Sequence, residues 1–136
     1  HRLMTRYKAE TWTKIVVGEL DSLIAETNAW SAASKSGIEV GDSPIQPIAD
    51  VIIVDCNGTK LAHQVEQMLP LLNSGGILFT LEPHVPAGDI DENDKAGMAA
   101  VEGFNSWINL IQSKTETYHI AFNPLFGGTL VAFLEK

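Results

Sequence analysis

Three places in the chain put an ionisable side chain directly behind a run of residues that favours buried β-structure. Glu19 follows Lys14-Ile15-Val16-Val17-Gly18, Asp55 follows Val51-Ile52-Ile53-Val54, and His84 comes just after Ile77-Leu78-Phe79-Thr80-Leu81. Short runs of this kind read as parallel strands buried on both faces. The carboxyl edge of such a sheet is where open α/β folds bind their ligands. A carboxylate placed there accepts hydrogen bonds from hydroxyl and amino groups, and an imidazole there can take a proton from a hydroxyl. Asp42, in Gly41-Asp42-Ser43-Pro44, adds a further acid on a turn. Each also has a plainer reading. Glu19 is then an acid facing water, Asp42 an ordinary turn residue, His84 a surface-loop histidine, and Asp55 a helix cap through the Asn57–Thr59 turn.

The remaining reactive side chains read as structural. Cys56 has no paired histidine in the pattern and is expected to be a packed thiol rather than a nucleophile. His1, His63 and His119 show no metal-ligand spacing. Trp12, Trp30 and Trp107 are expected to anchor core or interface. Asn57-Gly58-Thr59 matches a glycosylation sequon, a frequent chance match.

These residues need elements to hold them. Ala49–Asp55 reads as a strand, broken by Asn57-Gly58, with Thr59 expected to cap the helix that follows. Leu61, Val65, Met68, Leu69 and Leu72 form one helical stripe, ended at Asn73-Ser74-Gly75-Gly76. With Ile77–Leu81 this makes a strand–helix–strand unit, hence a parallel pair with a right-handed crossover. A helix is expected from about Lys95 to Ser113, its apolar face built by Val101, Phe104, Ile108 and Ile111. Acids precede it from Asp89 to Asp94, favouring its N-terminal dipole. Thr117–Phe122 and Thr129–Leu134 read as an antiparallel hairpin at the sheet edge. At the front, Lys14–Glu19 reads as a strand before a helix from Asp21 to about Lys35; the alternative is one helix from Ala9 to Ala33. Ile38–Asp42 reads as a short strand. Val51–Val54 is expected to be central in the sheet.

Size and charge bound the function. The 136 residues make one α/β domain, 1–136, with no internal repeat or linker. Nine Lys and Arg against seventeen Asp and Glu give a net charge of −8. With no basic cluster to meet phosphates, nucleic acid is an unexpected partner. No apolar run approaches the roughly 20 residues of a membrane span, and with no basic, apolar leader pattern in these residues a signal peptide is not expected. A lone cysteine suits a reducing compartment, so a cytoplasmic location is expected.

In this order, the segments resemble a class I S-adenosylmethionine-dependent methyltransferase of the small-molecule O-methyltransferase kind. Lys14–Asp21 (KIVVGELD) resembles that family's second strand, Ser36–Ser43 (SGIEVGDS) its third strand and Gly-Asp turn, and Ala49–Asp55 (ADVIIVD) its fourth strand. Leu69–Leu78 (LPLLNSGGIL) resembles the join before its fifth strand. Phe104-Asn105 through Gly127–Ala132 resembles its last helix and reversed final strand. The resemblance implies a Rossmann-like methyltransferase fold, a mainly parallel sheet ending in an antiparallel C-terminal hairpin. It implies S-adenosylmethionine as cofactor, with Glu19 on the ribose hydroxyls and Asp42 and Ser43 beside the adenine. Asp55 would line the pocket, and His84 would stand as a base for a small-molecule hydroxyl.

Two departures accompany the resemblance. The family's glycine-rich loop after its first strand is not seen before Lys14, so the first strand is expected to be missing and an upstream domain or a second copy of the chain becomes a candidate partner. His1–Thr13 would be the helix that follows such a loop. The Asp-Asn pair that closes the next strand in metal-dependent members is replaced by Leu81-Glu82-Pro83-His84, so no divalent metal is expected. Against methyl transfer stand two other readings: an inactive methyltransferase-like interaction module, and a nicotinamide-dependent Rossmann domain, which the terminal hairpin does not suit.

Overall fold

The computed structural model describes residues 5–6, 8–91 and 93–136. The chain divides into two compact units, His1–Pro47 and Ile48–Lys136.

The second unit holds the sheet. It runs β1 (Ala49–Val54), α2 (Gly58–Met68), β2 (Leu72–Leu81), α3 (Lys95–Lys114), β3 (Tyr118–Leu125) and β4 (Gly128–Glu135), in the strand order β1-β2-β4-β3. β1 and β2 are parallel, as the strand–helix–strand pattern requires; β2–β4 and β4–β3 are antiparallel. The C-terminal hairpin therefore lies at the edge, with β3 outermost. It turns on Phe126-Gly127, where Gly127 takes φ 98°, rather than on the longer Asn123–Gly128 connection that the sequence suggests.

Register places Ile52, Val54, Leu78, Thr80, Val131 and Phe133 on one face of the sheet. All six are buried. Helices α2 and α3 bring Leu61, Val65, Leu69, Trp107 and Leu110 to the same core. Trp107 meets Phe133 edge to face at 6.1 Å, a favoured aromatic geometry. The stripe read on α2 holds at Leu61 and Val65, and Leu69 is buried just past the helix end, but Leu72 opens β2 and does not belong to the helix. The stripe read on α3 is displaced. Gly103, Trp107 and Leu110 are buried, whereas Ile108 is exposed. The reason is proximity. A Cβ on Gly103 would stand 2.8 Å from Thr59 Cα, so α3 turns its glycine, not its larger neighbours, to the start of α2.

Capping also differs from expectation. The Asn57 side chain, not Thr59, caps α2, accepting the Thr59 backbone N–H at 3.1 Å. At its far end α2 stops at Met68, Leu69–Leu71 form a 3-10 turn through Pro70, and β2 begins at once. Gly75, at φ 78°, belongs to a bulge in β2 rather than to a helix cap.

The central position expected of Val51–Val54 is corrected. Among the described residues β1 is a terminal strand paired only with β2, and its alternate side chains Val51 and Ile53 are 56% and 75% exposed. The strands that would have continued the parallel sheet do not form. Residues 13–17 are irregular and Val17 is 92% exposed; residues 38–42 are irregular as well. β-branched residues favour a strand only where a partner strand accepts their backbone groups, and neither segment has one among the described residues.

In the first unit, the helix expected from Asp21 to Lys35 is α1 (Leu20–Lys35), with Ile24 and Thr27 buried. The single helix from Ala9 is not formed: residues 9–11 make an isolated 3-10 turn. Of the His1–Thr13 helix, residues 1–4 and 7 lie outside the described residues, and His1 with them. Among the described residues no helix is long and apolar enough to cross a membrane.

Candidate functional site at the carboxyl ends of β1 and β2

β1 and β2 leave the sheet side by side, their register running Val54 to Thr80. The buried Thr80 hydroxyl donates to the Val54 carbonyl at 2.9 Å, fixing the two strand ends to each other. Immediately beyond them the chain opens into a cleft of about 330 Å³. Asp55 and Cys56 enter it from β1, Asn57–Thr59 from the start of α2, and Glu82, Pro83 and His84 from β2. Ala100 of α3 closes one side. The structure thus brings Asp55 and His84, which the sequence places behind separate strands, to one cavity.

The cleft is open and its lining mixed, with Leu61, Leu81 and Pro83 beside its polar groups. Asp55 is exposed, while Glu82 is half-buried with its backbone N–H donating to Thr129 O at 2.8 Å. His84, two residues further on, lies on the loop that leaves β2. Asp55 does not cap α2, because Asn57 does. Burial pushes the Cys56 thiol up from its ordinary value, the Asp55 charge pushes it the same way, and Lys60 partly offsets them. The thiol is therefore protonated at neutral pH, in keeping with a packed cysteine and not an activated one. Among the described residues no group of three or more His, Cys, Asp or Glu side chains converges to hold a metal ion.

Sequence reasoning missed Ala100 as a wall of the cleft. The available signal was a small residue one turn ahead of Gly103, on a helix that must approach α2 closely.

Glu19, Asp42 and Ser43 belong to the first unit. Glu19 is the N-terminal flank of α1, with extended backbone and a side chain that does not cap the helix. It is exposed, as is Asp42. The Ser43 hydroxyl is engaged with its own turn, donating to Ile45 O at 2.6 Å. Two longer reaches hold the backbone on either side of Asp42. The Trp30 indole N–H donates to Gly41 O at 2.5 Å, and Lys14 Nζ donates to Ser43 O at 2.9 Å.

No family model matches the chain, and no curated protein matches it. Solved structures do. A putative caffeoyl-CoA O-methyltransferase from Staphylococcus aureus aligns over 98% of this chain and 56% of its own, at 15% identity and a TM-score of 0.58. The fold is that of a class I methyltransferase. An SAH-bound methyltransferase from Podospora anserina aligns over 79% of this chain and 55% of its own (20% identity, TM-score 0.49). A protein from Corynebacterium glutamicum does so over 79% and 54% (19%, TM-score 0.45). The chain spans a little over half the length of each of these structures. Within the methyltransferase fold, the parallel β1–α2–β2 unit and the reversed hairpin are the parts legible in the sequence.

Proposed function

We propose that this chain carries the nucleoside-binding and substrate-binding parts of an S-adenosylmethionine-dependent methyltransferase acting on a hydroxyl of a small molecule. The observation that carries the reading is the cleft at the carboxyl ends of β1 and β2, which gathers Asp55 and His84 where α/β folds take their ligands. The likeness to a putative caffeoyl-CoA O-methyltransferase supports the choice of oxygen as acceptor.

The residues fit the nucleoside end of the cofactor by donor chemistry. Ribose hydroxyls and an adenine amino group are hydrogen-bond donors, and the exposed Glu19 and Asp42 carboxylates are acceptors. Gly41 leaves the backbone beside Asp42 open, with nothing within 4 Å of where its Cβ would stand. Glu19 would hold the ribose, and Asp42 with the Ser43 turn the adenine. When bound, the cofactor supplies an electrophilic methyl group. In the cleft, Asp55 orients the substrate hydroxyl and the His84 imidazole takes its proton as the oxygen becomes the nucleophile. Positioning carries most of such a reaction, which accounts for how few reactive groups the cleft holds.

Calorimetry with S-adenosylhomocysteine tests the reading. Binding that is weakened but still measurable in Glu19→Ala and Asp42→Ala, and unchanged in His84→Ala, supports it; His84→Ala should instead suppress methyl transfer to catechol-type acceptors. Absence of binding overturns it.

One observation favours a second reading, an inactive methyltransferase-like interaction module. The sheet face opposite the helices carries Val51, Ile53, Leu81 and Leu134, all exposed, and apolar surface of this kind marks contact sites. Such a module would leave the binding experiment blank and would bind a second copy or another domain through that face.

A further inference from the structure

The acid assigned to the adenine sits between two backbone carbonyls that are each held from a distance. Gly41 O accepts the Trp30 indole N–H at 2.5 Å, from a side chain on α1 eleven positions away. Ser43 O accepts Lys14 Nζ at 2.9 Å, from a segment twenty-nine positions away. The stretch has no strand ladder of its own. Residues 38–42 join no strand, Gly41 contributes no side chain, and the Asp42 carboxylate is exposed. A glycine-containing segment outside any ladder samples many backbone conformations. The two long hydrogen bonds restrict that freedom on both sides of one residue.

We infer that Trp30 and Lys14 are positioning residues for Asp42, holding its carboxylate ready to accept a hydrogen bond from the adenosyl group. The inference rests on the nucleoside reading of Asp42 given above and goes beyond it, because neither Trp30 nor Lys14 is assigned a contact with the ligand. Trp30 acts through its N–H and not through its ring. Lys14 acts as a donor to a carbonyl and not as a charge facing the ligand. Ligand affinity depends on this because a site that is ordered beforehand does not lose the ordering entropy on binding.

The test is a double-mutant cycle read by calorimetry with S-adenosylhomocysteine and with adenosine. Trp30→Phe keeps an aromatic ring and removes the N–H; Lys14→Met keeps the stem and removes the donor; Lys14→Arg restores one. Each loss should weaken binding roughly three- to tenfold, the worth of one hydrogen bond, and Lys14→Arg should recover most of it. In an Asp42→Ala background, Trp30→Phe should produce no further weakening. Backbone amide resonances of residues 41–43 should broaden or shift in Trp30→Phe while those of β1 and β2 stay in place.

The outcomes separate the inference from the reading beneath it. Equal weakening by Trp30→Phe with and without Asp42 makes the tryptophan merely structural and overturns the inference. So does a Trp30→Phe chain that binds as the unaltered chain does. If Asp42→Ala is without effect on a chain that binds, the adenine role of Asp42 falls and the inference falls with it. Failure of the unaltered chain to bind either ligand overturns the cofactor reading itself.

Discussion

A Cβ added to Gly103 would lie 2.8 Å from Thr59 Cα and 2.9 Å from Gly58 O, so helix α3 meets the first turn of α2 backbone to backbone. That approach sets the width of the cleft. Ala100, one turn earlier on α3, faces the strand ends of β1 and β2 because Gly103 lets the helix come so close. Both contacts are with backbone atoms, which cannot swing aside as a flexible side chain would.

Gly103→Ala should therefore destabilise the protein by roughly 1–3 kcal/mol, the usual cost of forcing volume into a packed site, despite alanine's better helix propensity. Gly128→Ala is the control, since its nearest neighbour would be Leu81 Cδ2 at 4.0 Å. Urea midpoints for the two variants check the claim. Equal midpoints would mean that the helices slide apart without cost.

Burial separates two apolar residues that look alike in the sequence. Leu69 is 2% exposed and Val17 is 92% exposed. Leu69→Ala should cost about 2–5 kcal/mol through lost transfer energy and a residual cavity. Val17→Ala should change stability by less than about 0.5 kcal/mol, as expected for an exposed position. A Val17→Ala loss comparable with that of Leu69→Ala would restore the buried strand at 14–18.

The contrast between these residues shows which physical signals a sequence carries. The stripe Leu61, Val65, Leu69 and the crossover to Ile77–Leu81 are local in their periodicity, and they read correctly. The run Ile15-Val16-Val17 misleads for a different reason. It has strand propensity but no strand beside it among the described residues, and partnership is not written in the run itself. The α3 stripe reads one position away from its true face because hydrophobicity alone favours Phe104 and Ile108 over Gly103, while the close approach to Thr59 favours the glycine. At the site, Asp55 and His84 are legible as groups that follow adjacent strands. The Trp30–Gly41 and Lys14–Ser43 bonds are not, since each joins residues by tertiary geometry with no motif to announce it.

Asp91 offers a pH-dependent check on the loop before α3. Its carboxyl is held below the ordinary carboxylate range first by the Asn93 backbone N–H, at 2.8 Å, and then by the Asn93 side-chain amide, at 3.0 Å. A depressed folded value means that the contribution to stability is present above the unfolded pKa and is lost as pH falls through the folded one. Asn93→Ala removes only the second of the two bonds. The NMR titration of the Asp91 carboxyl should then move upward only part of the way. A full return to the ordinary value would assign the whole effect to the side chain.

Cys56 and Asp55 supply the last prediction, which reports on the cleft directly. The thiol is raised first by burial and second by the Asp55 charge, with Lys60 pulling the other way. A raised folded pKa contributes stability below the unfolded value, about 9 for this thiol, and that contribution is lost as pH rises through the folded value. Cys56 is the chain's only cysteine, so iodoacetamide alkylation followed by intact mass reads it without ambiguity. At pH 8, Asp55→Asn should speed alkylation by enlarging the thiolate fraction, and Lys60→Ala should slow it. Neither change should bring the rate to that of a free thiol, because burial remains the larger cause. A small molecule seated against Asp55 should protect Cys56 as well, since both line the same cavity. An alkylation profile indifferent to Asp55→Asn would show that the Asp55 charge does not reach the thiol and that burial alone raises it.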